Sequence, residues 1–377
     1  MAFPTMTIGD IESAIPIVQG GMGVGISLSG LASAVANAGG VGVIAGAMIG
    51  MREHDIATNP VEANLRALRT EIVKARERTK GIIGVNIMVA LTTFSEMART
   101  SIENRIDIIF AGAGLPLDLP RHLLTLCEEK KEDFKTKLIP IVSSARAAGI
   151  ISKKWLSRFD YPPDAFVVEG PKAGGHLGFK PEDIDSPAHA LERLVPEVVD
   201  CVKEFEDKKG RAIPIIAAGG IYNGADIKRF LDLGAAGVQM GTRFVATHEC
   251  DADDRFKQSY VNAHEKDVTI IKSPVGMPGR AILNKFIEDM REGAKKPFKC
   301  VFKCVSTCEQ EKTPYCIAAA LLNAMRGNLE KGFAFCGANV PRINGIQSVR
   351  ELVDSLQREF DEAIQSLSGA RQEAQRR

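Results

Sequence analysis

The chain has 377 residues, of which 45% are hydrophobic and 25% charged, so its composition is that of a globular protein and excludes a disordered one. Its formal net charge of +1 gives no electrostatic basis for binding nucleic acid or an anionic membrane, and we expect a small-molecule substrate instead. It has no apolar run of about 18 residues, no secretory signal and no cysteine density typical of a secreted disulfide scaffold, so we expect a cytoplasmic protein.

Eight short apolar runs recur along the first 250 residues, most of them ending in glycine, asparagine or serine. They are residues 15–20, 41–46, 82–89, 106–111, 138–142, 165–168, 213–218 and 237–241. Most are rich in valine and isoleucine and lack polar alternation. This pattern is typical of parallel strands that are buried on both faces.

Most gaps between the runs have the spacing of an amphipathic helix. The helical stripes are Leu31, Val35 and Ala38; Leu65, Leu68, Ile72 and Ala75; Leu191, Leu194, Val195, Val198, Val202 and Phe205; and residues 226–231. Eight β–α repeats in about 250 residues predict an α/β fold, a (β/α)₈ TIM barrel over residues 1–250. A doubly wound open sheet also alternates strands and helices, but GGMGVGIS (20–27) misplaces the third glycine of its dinucleotide motif, which favours the barrel.

Beyond residue 250 the pattern changes, and we expect a C-terminal helical, cysteine-containing extension of the barrel. Residues 251–345 form a polar and cysteine-rich segment that we expect to pack on the barrel. Residues 346–377 predict an amphipathic helix, packed on the barrel or on a second subunit of a homodimer. Its apolar stripe is Val349, Leu352, Val353, Leu356, Phe360, Ile364 and Leu367.

Four cysteines of the extension have a regular spacing. They are Cys300, Cys304, Cys308 and Cys316, with Cys336 further along. Clustered thiolates can bind zinc or an iron–sulfur cluster. The spacing, however, is not that of CxxC motifs, and cysteine is also a common core residue. We therefore favour thiols without a metal at this stage.

The predicted strand ends carry glycines where barrels often bind phosphate. The seventh run ends at Gly219 and Gly220, and the eighth is followed by Gly241, Thr242 and Arg243. Glycine lets backbone N–H groups approach an anion closely, although the same residues could serve tight turns alone. Thr242 could add a hydroxyl, and Arg243 a charge if it points inward.

The same barrel end should carry Met22, Asn86, Glu169 and His176, and this set suits the flat ring and ribityl phosphate of a flavin. His176 follows two glycines in EGPKAGGHLG. It could be a loop histidine bonded to a backbone carbonyl, or a general acid/base at the cavity. Lys172 in the same loop could be a solvated charge or face an anionic substrate.

Five motifs, in this order and spacing, resemble those of the nitronate monooxygenase (2-nitropropane dioxygenase-like) family. They are PIVQGGMGVGISLSGLASAVANAGGVGVIAGA, GVN (84–86), EGPKAGGHLG, IPIIAAGGI and GVQMGTRF, all within residues 10–250. The resemblance implies an FMN-containing TIM barrel with His176 as the active-site histidine. The implied FMN contacts are Gly21, Met22, Asn86, Glu169, Gly174, Gly175, Gly219, Gly220, Gln239, Met240, Gly241 and Thr242.

The family also includes flavin-dependent enoyl-acyl-carrier-protein reductases and NAD(P)H:quinone reductases. We expect oxidation of alkyl nitronates by O₂ to a carbonyl compound and nitrite, with NAD(P)H-dependent enoyl or quinone reduction as the alternative. Glu169 stands where many nitronate monooxygenases carry glutamine and enoyl reductases carry glutamate, and Lys172 stands where both groups carry glutamate. A non-redox phosphate-binding barrel enzyme is the rival outside the family.

Overall fold

The computed structural model describes the backbone of residues 2–375 and the side chains of residues 2–206 and 210–366. The strands are β1 (Met6–Ile8), β2 (Ile11–Ser13), β3 (Ile17–Gln19), β4 (Gly42–Ala45), β5 (Ile83–Met88), β6 (Ile108–Gly112), β7 (Lys137–Val142), β8 (Phe166–Glu169), β9 (Gly175–His176), β10 (Ile215–Ala218), β11 (Gly237–Met240), β12 (Val268–Lys272) and β13 (Pro278–Ile282). The helices are α1 (Ser29–Asn37), α2 (Pro60–Arg78), α3 (Phe94–Glu103), α4 (Leu119–Lys130), α5 (Ala145–Phe159), α6 (Leu191–Lys209), α7 (Gly224–Asp232), α8 (Thr242–Val245), α9 (Asp254–Val261), α10 (Lys285–Arg291), α11 (Ile317–Met325) and α12 (Val349–Gln375).

Eight parallel strands form a barrel at the centre of the molecule. Their order is β3-β11-β10-β8-β7-β6-β5-β4, and a parallel bridge between Val18 and Val41 joins the two ends of the sheet. Each strand falls within one of the eight predicted runs or within two residues of it, so the TIM barrel is confirmed and the open sheet is wrong. Branched and aromatic side chains such as Phe110 and Val167 fill the interior, as the layered packing of such barrels requires.

A layer of helices surrounds the barrel, and α12 completes it. The helix after β11, α8, has only four residues, and α12 instead packs against α7, α1 and α8. The approach to α7 is close: a Cβ on Gly224 would lie 2.1 Å from the backbone nitrogen of Phe360. The predicted stripe from Val349 to Phe360 is buried in the main core and Ile364 packs against it, while Leu367 lies outside the described side chains.

Residues 246–348, which we call the cover, connect α8 to α12 and pack over the carboxyl ends of the barrel strands. The hairpin β12–β13 is extended by β9, which belongs to the loop after β8, so this sheet joins the cover to the barrel. An aromatic cluster that includes Phe286, Tyr315 and Phe333 supports it.

One part of the cover has little regular structure. Residues 292–316, which we call the cysteine loop, contain a short 3₁₀ turn (Gln310–Lys312) and a single bridge from Val305 to Leu91, but no α-helix or strand. Among the described residues, no helix is both long and apolar enough to cross a membrane.

Candidate functional site

The carboxyl ends of the barrel strands open into a cavity of about 290 Å³ that the cover closes from above. That volume is at the lower end of the range for ligand pockets. The cavity is lined by His176 and by every residue predicted to contact the cofactor: Gly21, Met22, Asn86, Glu169, Gly174, Gly175, Gly219, Gly220, Gln239, Met240, Gly241 and Thr242. Residues that are up to 221 positions apart in the chain are thus brought to one site.

Two glycines after β10 have backbones that other residues rarely adopt. Gly219 has φ = +94° and Gly220 has φ = +86°. A Cβ on Gly219 would lie 2.9 Å from the carbonyl oxygen of Gly170, and one on Gly220 would lie 2.8 Å from Cβ of Lys172. Within the described part of the chain, the N–H groups of Gly220 and Gly241 donate to no acceptor. These N–H groups are therefore free to bind an anionic group of a ligand.

Three polar side chains in the barrel wall also lack partners. The side chains of Asn86, Glu169 and Gln239 make no hydrogen bond or ion pair to any other described residue. Burial raises the pKa of the Glu169 carboxyl to about 7, because the charged form loses its hydration. All three side chains are partly buried and line the cavity, so their polar groups are available to a polar ligand that enters it.

His176 lies on the strand that links the barrel loop to the cover. In the ladder between β9 and β13 it is paired with Gly279. Its Nε2 is 2.7 Å from the hydroxyl oxygen of Ser273, and its ring meets the Phe335 ring edge-on at 5.0 Å between centroids. Its partner is thus a serine hydroxyl and not the backbone carbonyl of the alternative interpretation. Burial lowers the pKa of His176 to about 4, so the imidazole is neutral at physiological pH.

Arg280 holds the loop that carries His176. Its buried guanidinium donates from Nη1 to the carbonyl oxygens of Pro171 and Ala173, the latter at 2.8 Å. No carboxylate among the described side chains lies within ion-pair distance of it, and burial lowers its pKa. The register places Arg280 opposite Gly175 in the β9–β13 ladder. The loop's carbonyls are therefore fixed by a buried cation from the cover.

A second connection comes from residues 337–339 of the cover. The Gly337 N–H donates to Oγ1 of Thr242 at 2.9 Å, and the Asn339 side-chain amide donates to the carbonyl oxygen of Gly220 at 2.6 Å. Residues 337–339 therefore contact both glycine-bearing strand ends, the one after β10 and the one after β11. The sequence interpretation missed Ser273, Arg280 and residues 337–339, because no strand-end pattern marks them.

The two charged residues proposed near the cavity differ in what they contact. Arg243 lines the cavity, but its guanidinium donates to the carbonyl oxygen of Tyr222 at 3.1 Å and lies 4.7 Å from the centre of that ring. Its other neighbour is the Glu359 carboxylate of α12, at 3.9 Å. Lys172 is exposed at the cavity edge. Arg243 thus supports the wall, while Lys172 carries its charge at the exposed edge of the cavity.

A family model described as nitronate monooxygenase matches residues 5–359. A probable nitronate monooxygenase of Staphylococcus aureus (strain Newman) is 30% identical over an alignment of 307 residues, and the match covers 74% of this chain and 78% of the relative. A protein of Mycobacterium tuberculosis described as (3aS,4S,5R,7aS)-5-hydroxy-7a-methyl-1-oxo-octahydro-1H-indene-4-carboxyl-CoA dehydrogenase is 30% identical over 281 residues, 74% of this chain and 66% of that protein. The family match therefore includes the cover and part of α12 as well as the barrel.

Solved structures show the same architecture. FabK from Thermotoga maritima matches with a TM-score of 0.70 and 28% identity, covering 94% of this chain and 95% of its own. A nitroalkane oxidase from Streptomyces ansochromogenes matches with a TM-score of 0.69 and 21% identity, covering 94% and 98%, and at that identity the likeness shows the fold alone. The family model and the relatives named as nitronate monooxygenases indicate an oxidoreductase, which sets aside the non-redox barrel enzyme. With a family model that spans nearly its whole length, the chain belongs to the nitronate monooxygenase family of oxidoreductases.

Proposed function

We propose that this cavity binds FMN and that the protein oxidises alkyl nitronates with O₂ to a carbonyl compound and nitrite. The observation that carries the proposal is the set of unpartnered groups in the barrel wall: the side chains of Asn86, Glu169 and Gln239, and the N–H groups of Gly220 and Gly241. A flavin has a polar ring edge and a phosphate, so it can satisfy both kinds of group at once. The membership in the family points to the same cofactor class.

The cavity residues divide by the part of FMN that they suit. Gly219, Gly220, Gly241 and Thr242 would hold the phosphate through backbone N–H groups and one hydroxyl. The other predicted contacts would hold the ring and the ribityl chain: Gly21, Met22, Asn86, Glu169, Gly174, Gly175, Gln239 and Met240. When bound, FMN would supply the redox chemistry, taking electrons from the substrate and passing them to O₂.

His176 would act on the proton next to the nitro group. Burial lowers its pKa to about 4, so the imidazole is neutral at physiological pH and has an unprotonated nitrogen that can accept the α-proton of a nitroalkane; the same low pKa makes it a weak base, so the transfer would depend on stabilisation of the nitronate that forms. The hydrogen bond to Ser273 orients the ring, and Phe335 packs against its edge. For a substrate that is already a nitronate, the same residue would only position it. Lys172 at the cavity edge would attract the anion.

NAD(P)H-dependent reduction of an enoyl thioester is the second candidate, with a quinone as the related acceptor. Glu169 favours it, since the resemblance associates glutamate at this position with enoyl reductases. So does the 28% identity to FabK, an enoyl-acyl-carrier-protein reductase, across 94% of the chain. In this reaction His176 would pass a proton on to the reduced substrate and would not supply one of its own. An imidazole with a pKa of about 4 is neutral at physiological pH and cannot act as a protonated general acid.

The test begins with the cofactor and then separates the two reactions. Purified protein should be yellow, and denaturation should release FMN with a stoichiometry of about one per chain. Under anaerobic conditions, bleaching of the flavin by an alkyl nitronate but not by NADH or NADPH would support the proposal. Bleaching by NADH or NADPH alone would favour the second candidate. Protein that remains colourless with added FMN would overturn both.

A further inference from the structure

Ser273 contacts the imidazole of His176 from the turn of the β12–β13 hairpin. Its side chain is 3% exposed and does not line the cavity, so a ligand in the cavity does not contact its hydroxyl. The hydroxyl oxygen lies 2.7 Å from Nε2 of His176, and the Val275 N–H points at the same oxygen from 3.4 Å. These two contacts decide where the hydroxyl proton is directed.

The proton of the Ser273 hydroxyl has a single place to go. A serine hydroxyl has one proton to donate and two lone pairs that accept. The Val275 N–H is a donor, so it uses a lone pair of the oxygen and leaves the proton available. Among the described residues, that proton has no acceptor other than Nε2 of His176. The hydroxyl therefore donates to Nε2, and Nε2 is the ring nitrogen without a hydrogen.

The tautomer of His176 follows from this hydrogen bond. The imidazole is neutral at physiological pH, because burial lowers the pKa of His176 to about 4. A neutral ring has one N–H, and because Nε2 accepts, the hydrogen is on Nδ1. Turning the ring over would place a carbon opposite the Ser273 hydroxyl and leave a buried proton without an acceptor. The edge-on contact with Phe335 also holds the ring.

Nδ1 of His176 is the ring nitrogen that a ligand can reach. His176 lines the cavity, and its Nδ1 has no hydrogen-bond partner among the described residues. In this part of the chain, the unpaired side-chain atoms that are sealed inside the protein are Oγ of Ser152 and Nδ1 of His189. Nδ1 of His176 is unpaired without being sealed. The imidazole therefore presents an N–H donor to the cavity and its lone pair to Ser273.

An N–H donor suits an anion better than a carbon acid. A nitronate carries negative charge on its two oxygens, and an N–H can bond to one of them without any proton transfer. A neutral nitroalkane must lose its α-proton to a base, whereas the nitrogen that faces it already carries a hydrogen. That hydrogen would have to move to Nε2, and the Ser273 hydroxyl would lose its acceptor. An unpaired buried donor disfavours this second tautomer by roughly tenfold or more.

We propose that Ser273 is a positioning residue that holds His176 in its Nδ1–H tautomer, and that the site thereby selects alkyl nitronate anions over neutral nitroalkanes. This inference rests on the proposed function and specifies the ionised form of its substrate. Of the two roles given to His176 above, it makes the positioning of a nitronate the main one. Proton abstraction from a nitroalkane has to proceed through the minor tautomer.

Nitrogen NMR of the full-length protein tests the tautomer without reference to activity. With isotopically labelled histidine, and with the His176 signals identified by their absence in H176A, Nδ1 should be protonated and Nε2 unprotonated at neutral pH. S273T keeps the hydroxyl and should keep this tautomer. S273D offers a carboxylate that only accepts, so it should move the hydrogen to Nε2. S259A removes a hydroxyl of the cover that donates to the Phe256 carbonyl, and it should change nothing.

Kinetics with the two ionisation states of one substrate measure the selectivity. The values of kcat/KM are compared for a nitroalkane and its nitronate, each added fresh before the two forms equilibrate. Wild type should favour the nitronate by at least about tenfold, and S273D should lower this preference by about tenfold. S273A leaves Nε2 without its donor and should give an intermediate preference, which supplies the test if S273D does not fold. S259A should keep the wild-type preference.

A hydrogen on Nε2 of His176 in the wild-type protein would overturn the proposal. So would a preference for nitronate that is unchanged in every folded variant that lacks the Ser273 hydroxyl. The failure of the proposed function has a different signature. Protein with the Nδ1–H tautomer that oxidises no nitronate would contradict the proposed reaction, and the selectivity with it, while the tautomer set by Ser273 would stand.

Discussion

The two walls of the cavity are built in different ways. The barrel wall consists of strand ends, whose positions follow from the parallel sheet, and it presents free N–H groups and unpartnered polar side chains. The cover wall is held by a few side-chain contacts, such as Arg280 to the Pro171 carbonyl and Asn339 to the Gly220 carbonyl. If the proposed function is right, the two walls have different roles: the barrel would bind the cofactor, and the cover would orient His176 and close the site.

Replacing His176 with alanine should have the largest effect, and it distinguishes catalysis by the cover from cofactor binding by the barrel. We expect kcat to fall by about 10²- to 10⁴-fold on a nitroalkane, the usual contribution of a positioned general base, with flavin content unchanged. Steady-state kinetics and the flavin spectrum measure both. As a matched control, H122A changes a histidine whose ring packs on Phe94 away from the cavity and should keep wild-type kcat. Full activity of H176A on every accepted substrate would contradict the assignment.

The G219A variant tests the barrel wall. Its Cβ would lie 2.9 Å from the Gly170 carbonyl oxygen on a backbone with φ = +94°, so the turn must shift and its N–H groups with it. We expect the flavin dissociation constant to rise at least about tenfold, or about 1.4 kcal/mol, in a titration of the apoprotein. G210A is the control: it also places alanine on a backbone of positive φ (+62°), but its Cβ would have no neighbour within 4 Å. It therefore introduces backbone strain without a clash and should bind flavin normally. An equal loss of flavin affinity in both variants would contradict a specific role of the Gly219 turn in binding flavin.

The R280M variant tests the link between the walls. It leaves two buried carbonyl oxygens without a donor, which should lower the free energy of unfolding by about 1–3 kcal/mol and lower kcat more than flavin affinity. Chemical denaturation and kinetics measure the two effects. R291M removes an exposed arginine that bonds to the Ile270 carbonyl of the same sheet, and it should change stability by less than about 0.5 kcal/mol. Unchanged kcat in R280M would show that the cover does not set the position of His176.

The smallest expected effect concerns the pH dependence of stability. The pKa of Glu169 is about 7 in the folded protein and 4.5 in the ordinary, unfolded environment. Between pH 4.5 and 7 the folded state therefore binds a proton at Glu169 that the unfolded state does not. Stability from this group is complete below about pH 4.5 and is lost as pH rises through 7. The Tm of the apoprotein should therefore fall more steeply between pH 5 and 7.5 in wild type than in E169Q. Parallel curves for the two proteins would mean that Glu169 titrates normally.

The same contrast explains what could be predicted from the sequence. Strand-end residues such as Asn86, Glu169 and Gly219 were predictable, because parallel strands in a barrel bring their carboxyl ends to one face. Even there, local chemistry set the boundaries: β10 begins at Ile215 and not at residue 213, since Pro214 has no N–H to give to the ladder.

The cover could not be predicted in the same way. Ser273, Arg280 and Asn339 reach the site from about 100 residues further along the chain, and only tertiary packing decides which of its polar side chains face the cavity. The two-residue strand β9 is likewise too short to carry a periodic pattern, and it exists because β13 lies beside it.

Oxygen consumption with an alkyl nitronate tests the central claim most directly. Flavin-containing wild-type protein, without any nicotinamide, should consume O₂ and release nitrite in proportion, and H122A should do the same. A flavin-containing protein that consumes no O₂ with nitronates, yet oxidises NADH or NADPH when an enoyl thioester or a quinone is present, would contradict the proposed reaction.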